Sequence, residues 1–352
     1  MTQNKDISEH EIYMQRCLQL AELGAGNVAP NPMVGAVLVC NDRIIGEGWH
    51  QKYGEAHAEV NCIASVKDED KQFISFSTMY VSLEPCAHFG KTPPCADLII
   101  HHKIPKVVIG CRDPFKEVDG KGIERLKAAG VEVVLNVLAK ECKELNKRFF
   151  TFYTKHRPYV ILKWAQTNDL KIGSGNSERL LISNEFSNRL VHKWRSEEAS
   201  ILIGTNTAML DDPELTTRLW NRPSPIRLVV DMDLKLPASL KVFNSSSRTI
   251  VFNKLKHAEG DNVSYYQVTE DVNLVHQIMN ALYASKIQSV IVEGGAQLLQ
   301  SFIDEQLWDE ARIITNTKLS IGKGLPAPTI SGTLNSEISL QDDRIQFIVP
   351  NN

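Results

Sequence analysis

The sequence lacks a long hydrophobic run. No stretch of about 18 apolar residues occurs in it, so no membrane-spanning helix is expected. The N-terminal segment is too polar to form the apolar core of a signal peptide. No run of five basic residues occurs either, and 39 Lys and Arg against 42 Asp and Glu leave a net charge of −3. These absences predict a cytoplasmic protein that binds neither nucleic acid nor membrane.

A disulfide framework is not indicated either. The chain has seven cysteines, an odd number, in 352 residues without an export signal. In such a chain the cysteines are expected to be thiols or metal ligands. A hydrophobic content of 43% and a charged content of 23% are ordinary for a globular protein, and the length suits two domains.

Hydrophobic periodicity predicts alternating strands and helices in the first half of the chain. The predicted strands are 33–40, 43–50, 78–83, 106–110 and 131–137. Helices are expected near the N-terminus, after residue 50, after Cys95, and at 121–130. The second of these is expected to carry Val60, Ile63, Ala64 and Val66 on one face. A charged helix in 141–158 then leads into a linker that ends near Pro158.

A second series of strands and helices follows the linker. The predicted strands are 159–167, 199–205, 226–231, 247–253, 288–295 and 310–317, and the predicted helices lie near 184–197, 271–286 and 296–305. Alternation of this kind predicts an α/β layered fold with much parallel pairing. We therefore expect two α/β domains, 1–152 and 153–352.

Two short motifs carry candidate metal ligands. HAEVNC (57–62) places His57 two residues before Glu59, and EPCAHFGKTPPC (84–95) contains Cys86 and Cys95. One nitrogen and two sulfurs form a ligand set that zinc prefers, and a catalytic zinc leaves its fourth position for water. Each candidate lies near the expected start of a helix, where thiolates are stabilised.

Glu59 is the candidate general acid and base. It is too close to His57 in sequence to be a comfortable fourth ligand. A carboxylate beside the metal-bound water, whose pKa zinc lowers to about 7, can instead carry a proton to a ring nitrogen and then to a leaving amine. His-x-Glu followed by Pro-Cys and a second Cys is the order found in zinc deaminases, although their cysteines are separated by two residues and these by eight.

Other interpretations of the same residues remain. Either motif alone is a chance pattern, and a structural zinc would leave Glu59 without a role. His88 is a competing ligand. Core packing is the expected role of the other five cysteines, Cys17, Cys40, Cys62, Cys111 and Cys142.

Three segments of the first half resemble a known family. They are PNPMVGAVLV (30–39), GEGWHQKYGEAHAEVNCI (46–63) and YVSLEPCAHFGKTPPCADLI (80–99). They resemble the deaminase half of the bifunctional riboflavin-biosynthesis deaminase/reductase. The resemblance implies a cytidine-deaminase-like three-layer domain, zinc on His57, Cys86 and Cys95, Glu59 as the proton carrier, and a diaminopyrimidinone substrate that carries a phosphoribosylamino group. Asn31 resembles the residue that contacts the base; a simple Asn-Pro turn is the alternative.

The residues of the second half carry weaker signals. Gly294 and Gly295 stand between a strand and a helix, where backbone N–H groups can bind a phosphate; an ordinary turn is equally compatible, and the pattern is not a Rossmann motif. The segment 201–218 ends a strand in a polar loop that either binds ribose or phosphate or is merely solvated. Arg195, near the end of a helix, is a phosphate clamp or a surface charge.

Four segments in this half resemble the reductase half of the same family, which has a dihydrofolate-reductase-like fold and uses NADPH. They are 162–172, 204–218, 225–231 and 292–299. The resemblance implies hydride transfer that converts a ribosylamine into a ribitylamine, and a homo-oligomer. Along the cofactor it places Gln166, Thr207, Asp211, Gly294 and Gly295. Near the phosphoribosyl substrate it places Lys163, Ser183, Arg195, Leu215, Arg218 and Glu293.

The chain departs from the family pattern in two places. TNDLKI (167–172) stands where S-L-D-G-R/K is usual, and LLIS (180–183) where Trp, Ile and Thr are usual. Leu181 cannot stack on a nicotinamide as a tryptophan does. A deaminase with an inactive reductase-like domain is therefore one alternative to a bifunctional enzyme. The other is a nucleic-acid-binding protein on the deaminase fold, which the net charge and the cysteine spacing oppose.

Overall fold

The computed structural model describes residues 9–87, 93–175 and 180–351. The chain forms two compact units, Met1–His156 and Arg157–Asn352. The predicted boundary, between residues 152 and 153, falls inside a helix, Lys147–Lys155. This helix continues because Phe149 and Phe152 are buried on one of its faces, and the division between the units comes four residues after the predicted boundary.

A five-stranded sheet forms the centre of the described part of the first unit. Its strands are β1 (Gly35–Cys40), β2 (Arg43–Trp49), β3 (Thr78–Leu83), β4 (Lys106–Cys111) and β5 (Glu132–Leu135). The order is β2-β1-β3-β4-β5, antiparallel among the first three strands and parallel among the last three. Asn41 and Asp42 join β1 to β2 with φ of 48° and 59°, the backbone that a two-residue hairpin turn requires.

Helices cover both faces of this sheet. They are α1 (Glu9–Glu22), α2 (Ala58–Ala64), α3 (Cys95–His101), α4 (Lys121–Ala128), α5 (Ala139–Leu145) and α6 (Lys147–Lys155), and a 3₁₀ helix spans Asp68–Phe76. Apolar side chains of α1 and α5 pack on one face, and those of α2, α3 and α4 pack on the other. The predicted three-layer α/β arrangement of this half is therefore confirmed.

Two predictions about these helices were wrong. The charged segment 141–158 is two helices, because the side chain of Asn146 binds the backbone N–H and C=O of Met33, both at 2.8 Å, and interrupts the helix there. The buried face of α2 carries Ala58, Glu59 and Cys62. The predicted apolar face was therefore wrong in part: Ile63 is partly buried against the core and Val66 is buried in it, whereas Val60 is only partly buried and Ala64 is exposed.

A nine-stranded sheet dominates the described part of the second unit. The strands of this unit are β6 (Tyr159–Thr167), β7 (Lys171–Gly173), β8 (Ser200–Gly204), β9 (Ile226–Val230), β10 (Thr249–Asn253), β11 (Val263–Gln267), β12 (Ser289–Glu293), β13 (Glu310–Asn316), β14 (Leu325–Pro326), β15 (Thr333–Leu340) and β16 (Asp343–Val349). The order is β11-β10-β9-β8-β12-β6-β13-β16-β15, and β7 pairs with β14 apart from it. Pairing is parallel from β11 to β13 and antiparallel beyond.

Four α-helices and a 3₁₀ helix, Lys241–Phe243, are described in this unit, and hydrophobic clusters lie on both faces of its sheet. The α-helices are α7 (Glu185–Glu197), α8 (Thr205–Asp211), α9 (Leu274–Ala284) and α10 (Ala296–Asp304). The segment after β8 was predicted as a polar loop, but it forms α8, because Ala208 is buried against the sheet. The β15–β16 hairpin was not predicted, because almost every residue of β15 is exposed and no apolar run marks it.

Candidate zinc centre and reductase site

His57, Cys86 and Cys95 meet in the first unit. His57 directly precedes α2, Cys86 follows the end of β3, and Cys95 begins α3. Nδ1 of His57 lies 3.6 Å from Sγ of Cys86 and 3.3 Å from Sγ of Cys95. One potential ligand atom from each residue falls within 4.8 Å of the other two. His88, the competing ligand, lies outside the described residues.

The electrostatics of the Cys86 thiol suit a metal, whereas a hydrogen bond with Cys86 and burial raise the pKa of the Cys95 thiol. The backbone N–H of Cys95 donates to Sγ of Cys86 at 3.3 Å. A hydrogen bond with the Cys95 thiol, together with one to His57, outweighs burial and lowers the pKa of Cys86 to about 4. Cys86 is therefore a thiolate at neutral pH, the form that binds metal. An imidazole and two sulfurs fit zinc, and three protein ligands leave one tetrahedral position open.

Glu59 lies beside this ligand set, in the first turn of α2. The residue is only 3% exposed, and its carboxyl group interacts with the Cys95 thiol. Burial raises the pKa of Glu59, while His57 opposes the rise. The carboxyl group therefore holds its proton to a higher pH than an exposed glutamate, which suits a group that takes up and releases a proton.

Asn31 reaches the same region through His50. The amide Nδ2 of Asn31 donates to Nε2 of His50 at 3.2 Å, and Nδ1 of His50 donates to the carbonyl of Ala56 at 3.0 Å. The ring of His50 meets that of His57 edge-on, with centroids 5.5 Å apart. Sequence analysis did not single out His50; its position at the end of the β2 hairpin, seven residues before His57, was the available signal.

Glu84 is a second residue that sequence analysis missed. It stands two residues before Cys86, is 4% exposed, and accepts four backbone hydrogen bonds. The donors are Asp113 at 3.3 Å, Gly120 at 3.0 Å, Gly122 at 3.0 Å and Ile123 at 3.3 Å. These bonds fix the end of β3 to the first turn of α4. An acidic residue directly after an apolar strand was the signal for it.

Three predicted residues of the second unit form a buried ionic group. Glu293 accepts hydrogen bonds from Nε and Nη2 of Arg195, at 2.8 and 2.7 Å, and from Nζ of Lys163 at 3.4 Å. The three side chains are at most 14% exposed. Burial alone would raise the pKa of Glu293, but Arg195 and Lys163 together lower it to about 2. Two cations against one anion leave a net positive charge, which favours an anionic ligand.

His192 adjoins this ionic group and was not predicted as a site residue. It is buried, and Nδ1 of its ring has no hydrogen-bond partner among the described residues. Burial first, and then Arg195 and Arg218, lower the pKa of His192 to about 4. The imidazole is therefore neutral and lies near both arginines. Its position three residues before Arg195 on α7 places the two on one helix face, which was the signal.

The predicted cofactor residues Thr207, Gly294 and Gly295 lie together. Gly294 and Gly295 follow β12 with φ of 82° and 76°, a backbone that favours glycine. A Cβ atom on Gly294 would lie 2.8 Å from Cγ2 of Thr207, so the turn packs directly on α8. This turn places no side chain over the backbone N–H groups at the start of α10, an arrangement that can accept a phosphate group.

The other predicted residues occupy more scattered positions. Gln166, near the end of β6, accepts from Trp164 at 2.8 Å and donates to Thr315 at 3.1 Å. Asp211 ends α8, Ser183 precedes α7, and Leu215 is buried. Arg218 is half exposed and lines an open cavity of about 830 Å³.

The first departure from the family pattern has a structural counterpart. In TNDLKI, Leu170 occupies the position of the usual glycine. Its φ is 59°, in the left-handed region, and the residue is 57% exposed. Asp169 keeps the place of the usual aspartate, and it accepts from Oγ1 of Thr167 at 2.6 Å and from the N–H of Gly322 at 2.7 Å. The turn is therefore retained with a residue that strains it. At the second departure, the side chain of Leu181 is 74% exposed.

Two family models match the chain. Residues 7–111 match the cytidine and deoxycytidylate deaminase zinc-binding region, and residues 158–350 match the RibD C-terminal domain. The fold and the metal-ligand cluster thus define an enzyme with a zinc-binding deaminase domain followed by a reductase domain.

The described residues contain no helix long and apolar enough to cross a membrane.

Individual relatives identify the family. The chain is 38% identical to the riboflavin biosynthesis protein RibD of Aquifex aeolicus, over 89% of this chain and 88% of the relative, and 35% identical to that of Synechocystis, over 97% and 94%. A Thermotoga maritima crystal structure superposes with a TM-score of 0.89 at 35% identity, covering 97% of this chain and 99% of that one. An Acinetobacter baumannii RibD structure has a TM-score of 0.89 at 29% identity, covering 99% and 100%.

The chain belongs to the RibD family. It is a bifunctional deaminase and reductase of riboflavin biosynthesis, with zinc as the cofactor of the first domain and NADPH as that of the second. The expectations for the family, the α/β class, the two activities and the two cofactors are confirmed.

Proposed function

We propose that the chain deaminates a diaminohydroxyphosphoribosylaminopyrimidine and then reduces the resulting 5-amino-6-(5-phosphoribosylamino)uracil. These are the substrates named for the Thermotoga maritima protein. The observation that carries the proposal is the approach of one His57 nitrogen and the two sulfurs of Cys86 and Cys95 to within 4.8 Å of one another, with Glu59 buried beside them.

In the deaminase domain, His57, Cys86 and Cys95 would hold zinc. Zinc supplies a water molecule acidic enough to act as a nucleophile at neutral pH. With the metal bound, Glu59 would take one proton from that water and deliver it to a ring nitrogen. It would then take the second proton, from the hydroxyl group formed on the ring carbon, and pass it to the departing amine as the carbon–nitrogen bond breaks. Its raised pKa supports this role, because the carboxyl group must both accept and release a proton within one turnover. Asn31, hydrogen-bonded to His50, orients the pyrimidine.

In the reductase domain, charge and backbone groups position two ligands. NADPH supplies a hydride to the sugar carbon. The glycine turn at Gly294 and Gly295, with Thr207, Gln166 and Asp211, binds the cofactor. The net positive charge of the group formed by Lys163, Arg195 and Glu293 attracts the phosphoribosyl group, and Arg218, Leu215 and Ser183 complete the substrate site.

One assay on the purified full-length chain tests the whole proposal. Zinc content is measured, and turnover of the phosphoribosyl diaminopyrimidine is followed by ultraviolet absorbance with and without NADPH. We expect about one zinc per chain, ammonia release without NADPH, and NADPH oxidation only after deamination. Ammonia release without any NADPH oxidation would show that the chain is a deaminase only, and absence of both reactions would refute the proposal.

Two further expectations complete the proposed function. A homo-oligomer is expected from the family resemblance, and light scattering coupled to gel filtration measures its mass. A cytoplasmic location is also proposed, and cell fractionation tests it.

A further inference from the structure

Helix α4 contacts both cysteine-bearing segments although it contains no metal ligand. Nη1 of Arg125 donates to the carbonyl of Ala87, directly after Cys86, at 3.2 Å. Nε of the same guanidinium pairs with the carboxylate of Asp97, two residues after Cys95, at 2.5 Å. One side chain therefore joins the segment of the first sulfur ligand to the helix that carries the second.

The first turn of α4 is also fixed to the residues before Cys86. Glu84 accepts from the N–H groups of Gly122 and Ile123. A Cβ atom on Gly122 would lie 1.9 Å from the carbonyl oxygen of Pro85, so only glycine allows this approach. The helix is thereby anchored at one point, and Arg125, one turn further along, meets the two cysteine segments at a defined place.

The Arg125 link adds a side-chain connection to the backbone contacts that already join the two cysteine segments in the described structure. Cys86 lies on an extended segment after β3, and Cys95 begins a short helix nine positions later. Two backbone contacts between these segments are the hydrogen bonds from Cys95 N–H to Sγ of Cys86, at 3.3 Å, and from Ala96 N–H to the carbonyl of Cys86, at 3.1 Å. Two thiolates repel each other, and zinc accepts them only near tetrahedral geometry with Zn–S distances of about 2.3 Å.

We propose that Arg125 is a positioning residue of the zinc site, acting through Ala87 and Asp97 to hold Cys86 and Cys95 at the separation that zinc requires. The inference rests on the proposed role of these cysteines as zinc ligands. The side chain of Arg125 is 44% exposed and that of Asp97 is 32% exposed. A surface ion pair of this kind stabilises a fold little, so its effect should appear in metal binding rather than in folding.

The test measures zinc affinity directly. The zinc-free full-length chain competes with a chromophoric chelator for Zn²⁺, for the wild type, Arg125→Met and Asp97→Asn. Loss of an outer-shell partner typically weakens metal binding 10- to 100-fold, and we expect about tenfold for both variants. Cobalt substitution adds a spectroscopic readout, because a changed S–Co–S angle shifts the visible bands. Arg125→Lys keeps the positive charge but cannot bond Ala87 and Asp97 through two guanidinium nitrogens. This variant should bind zinc more tightly than Arg125→Met and less tightly than the wild type.

Arg16→Met is the matched control. Arg16 pairs with Glu47 at 2.6 Å, and the two side chains are 39% and 33% exposed, almost as in the Arg125–Asp97 pair. This control should bind zinc and cobalt as the wild type does. Wild-type affinity and cobalt bands in Arg125→Met, or equal losses in Arg16→Met, would overturn the inference while leaving the proposed function intact. If the wild type itself binds no zinc, both fall together.

Discussion

Nδ1 of His57 lies 3.3 Å from Sγ of Cys95, although 38 positions separate the two residues in the chain. The start of α2 and the start of α3 meet at this point, both beside the end of β3. Convergence of a nitrogen and two sulfurs around a buried carboxylate distinguishes a hydrolytic zinc site from a purely structural one, because structural sites have four protein ligands. The first two predictions concern this arrangement.

Glu59→Gln should abolish deamination and leave zinc in place. Glutamine has the shape of glutamate but accepts no proton, and loss of a general acid–base group typically lowers the rate by about 10²- to 10⁴-fold. Zinc content by atomic emission should remain at the wild-type level, and NADPH oxidation with the deaminated substrate should be unchanged.

Glu47→Gln provides the control for this change, since Glu47 is a paired glutamate of the same unit outside the metal cluster. Unaltered ammonia release in Glu59→Gln would mean that the zinc is structural. Loss of zinc together with activity would make Glu59 a ligand.

Cys86→Ser should remove zinc and destabilise the first unit. A structural or catalytic zinc couples its binding free energy to folding, and the serine hydroxyl does not replace a thiolate with a pKa of about 4. Urea unfolding followed by tryptophan fluorescence should show an earlier transition. Cys40→Ser, a change at a buried cysteine of β1, should keep its zinc; zinc retained in Cys86→Ser would contradict the assigned ligand set.

Glu293→Gln should destabilise the second unit and impair reduction without affecting deamination. It leaves Lys163 and Arg195 as buried charges without their anion, and breaking such a group typically costs about 3–5 kcal/mol. Denaturant unfolding measures the loss of stability. Glu305→Gln removes a partly exposed partner of His276 in the same unit and should cost under about 1 kcal/mol. Equal losses of stability in Glu293→Gln and Glu305→Gln would show that the buried ionic group stabilises the unit no more than a partly exposed pair does.

His192 should make the protein less stable as the pH falls below 6.5. Its pKa is about 4 in the folded chain and 6.5 when exposed. Between these values the unfolded chain binds a proton that the folded chain does not, so this contribution is complete above pH 6.5 and is lost toward pH 4. The lost contribution is at most about 3 kcal/mol. Unfolding of the wild type and His192→Gln at pH 4 to 8 should show a flatter profile for the variant, and parallel profiles would exclude the effect.

Leu170→Gly should stabilise the second unit. Leu170 has a φ of 59°, and a left-handed backbone costs a residue with a Cβ roughly 1–2 kcal/mol. Part of the gain is offset by the greater freedom of glycine in the unfolded chain, so a net increase of about 0.5–1 kcal/mol is expected. Leu255→Gly, at a leucine that is also 57% exposed but has no positive φ, should destabilise instead. A loss of stability in both variants would refute the strain at Leu170.

The sequence by itself determined which residues are candidate zinc ligands, which residue is the candidate general acid and base, and where most strands and helices lie. His57, Glu59, Cys86 and Cys95 lie in short motifs whose spacing reflects local turns at helix starts. An apolar run such as that of β1 predicts a strand, whichever neighbouring strands it pairs with. Information of this kind is contained in a few neighbouring residues, and so it can be read without knowing what they pack against.

Tertiary structure alone decided which distant residues share a site. Glu293 is 98 positions from Arg195 and 130 from Lys163, and they meet only because β12 pairs between β8 and β6. The roles of His192, Glu84 and Arg125 depend in the same way on partners brought by other elements. A buried charge or a single arginine has no periodic signal, and strand order in a parallel sheet is set by packing of the whole core.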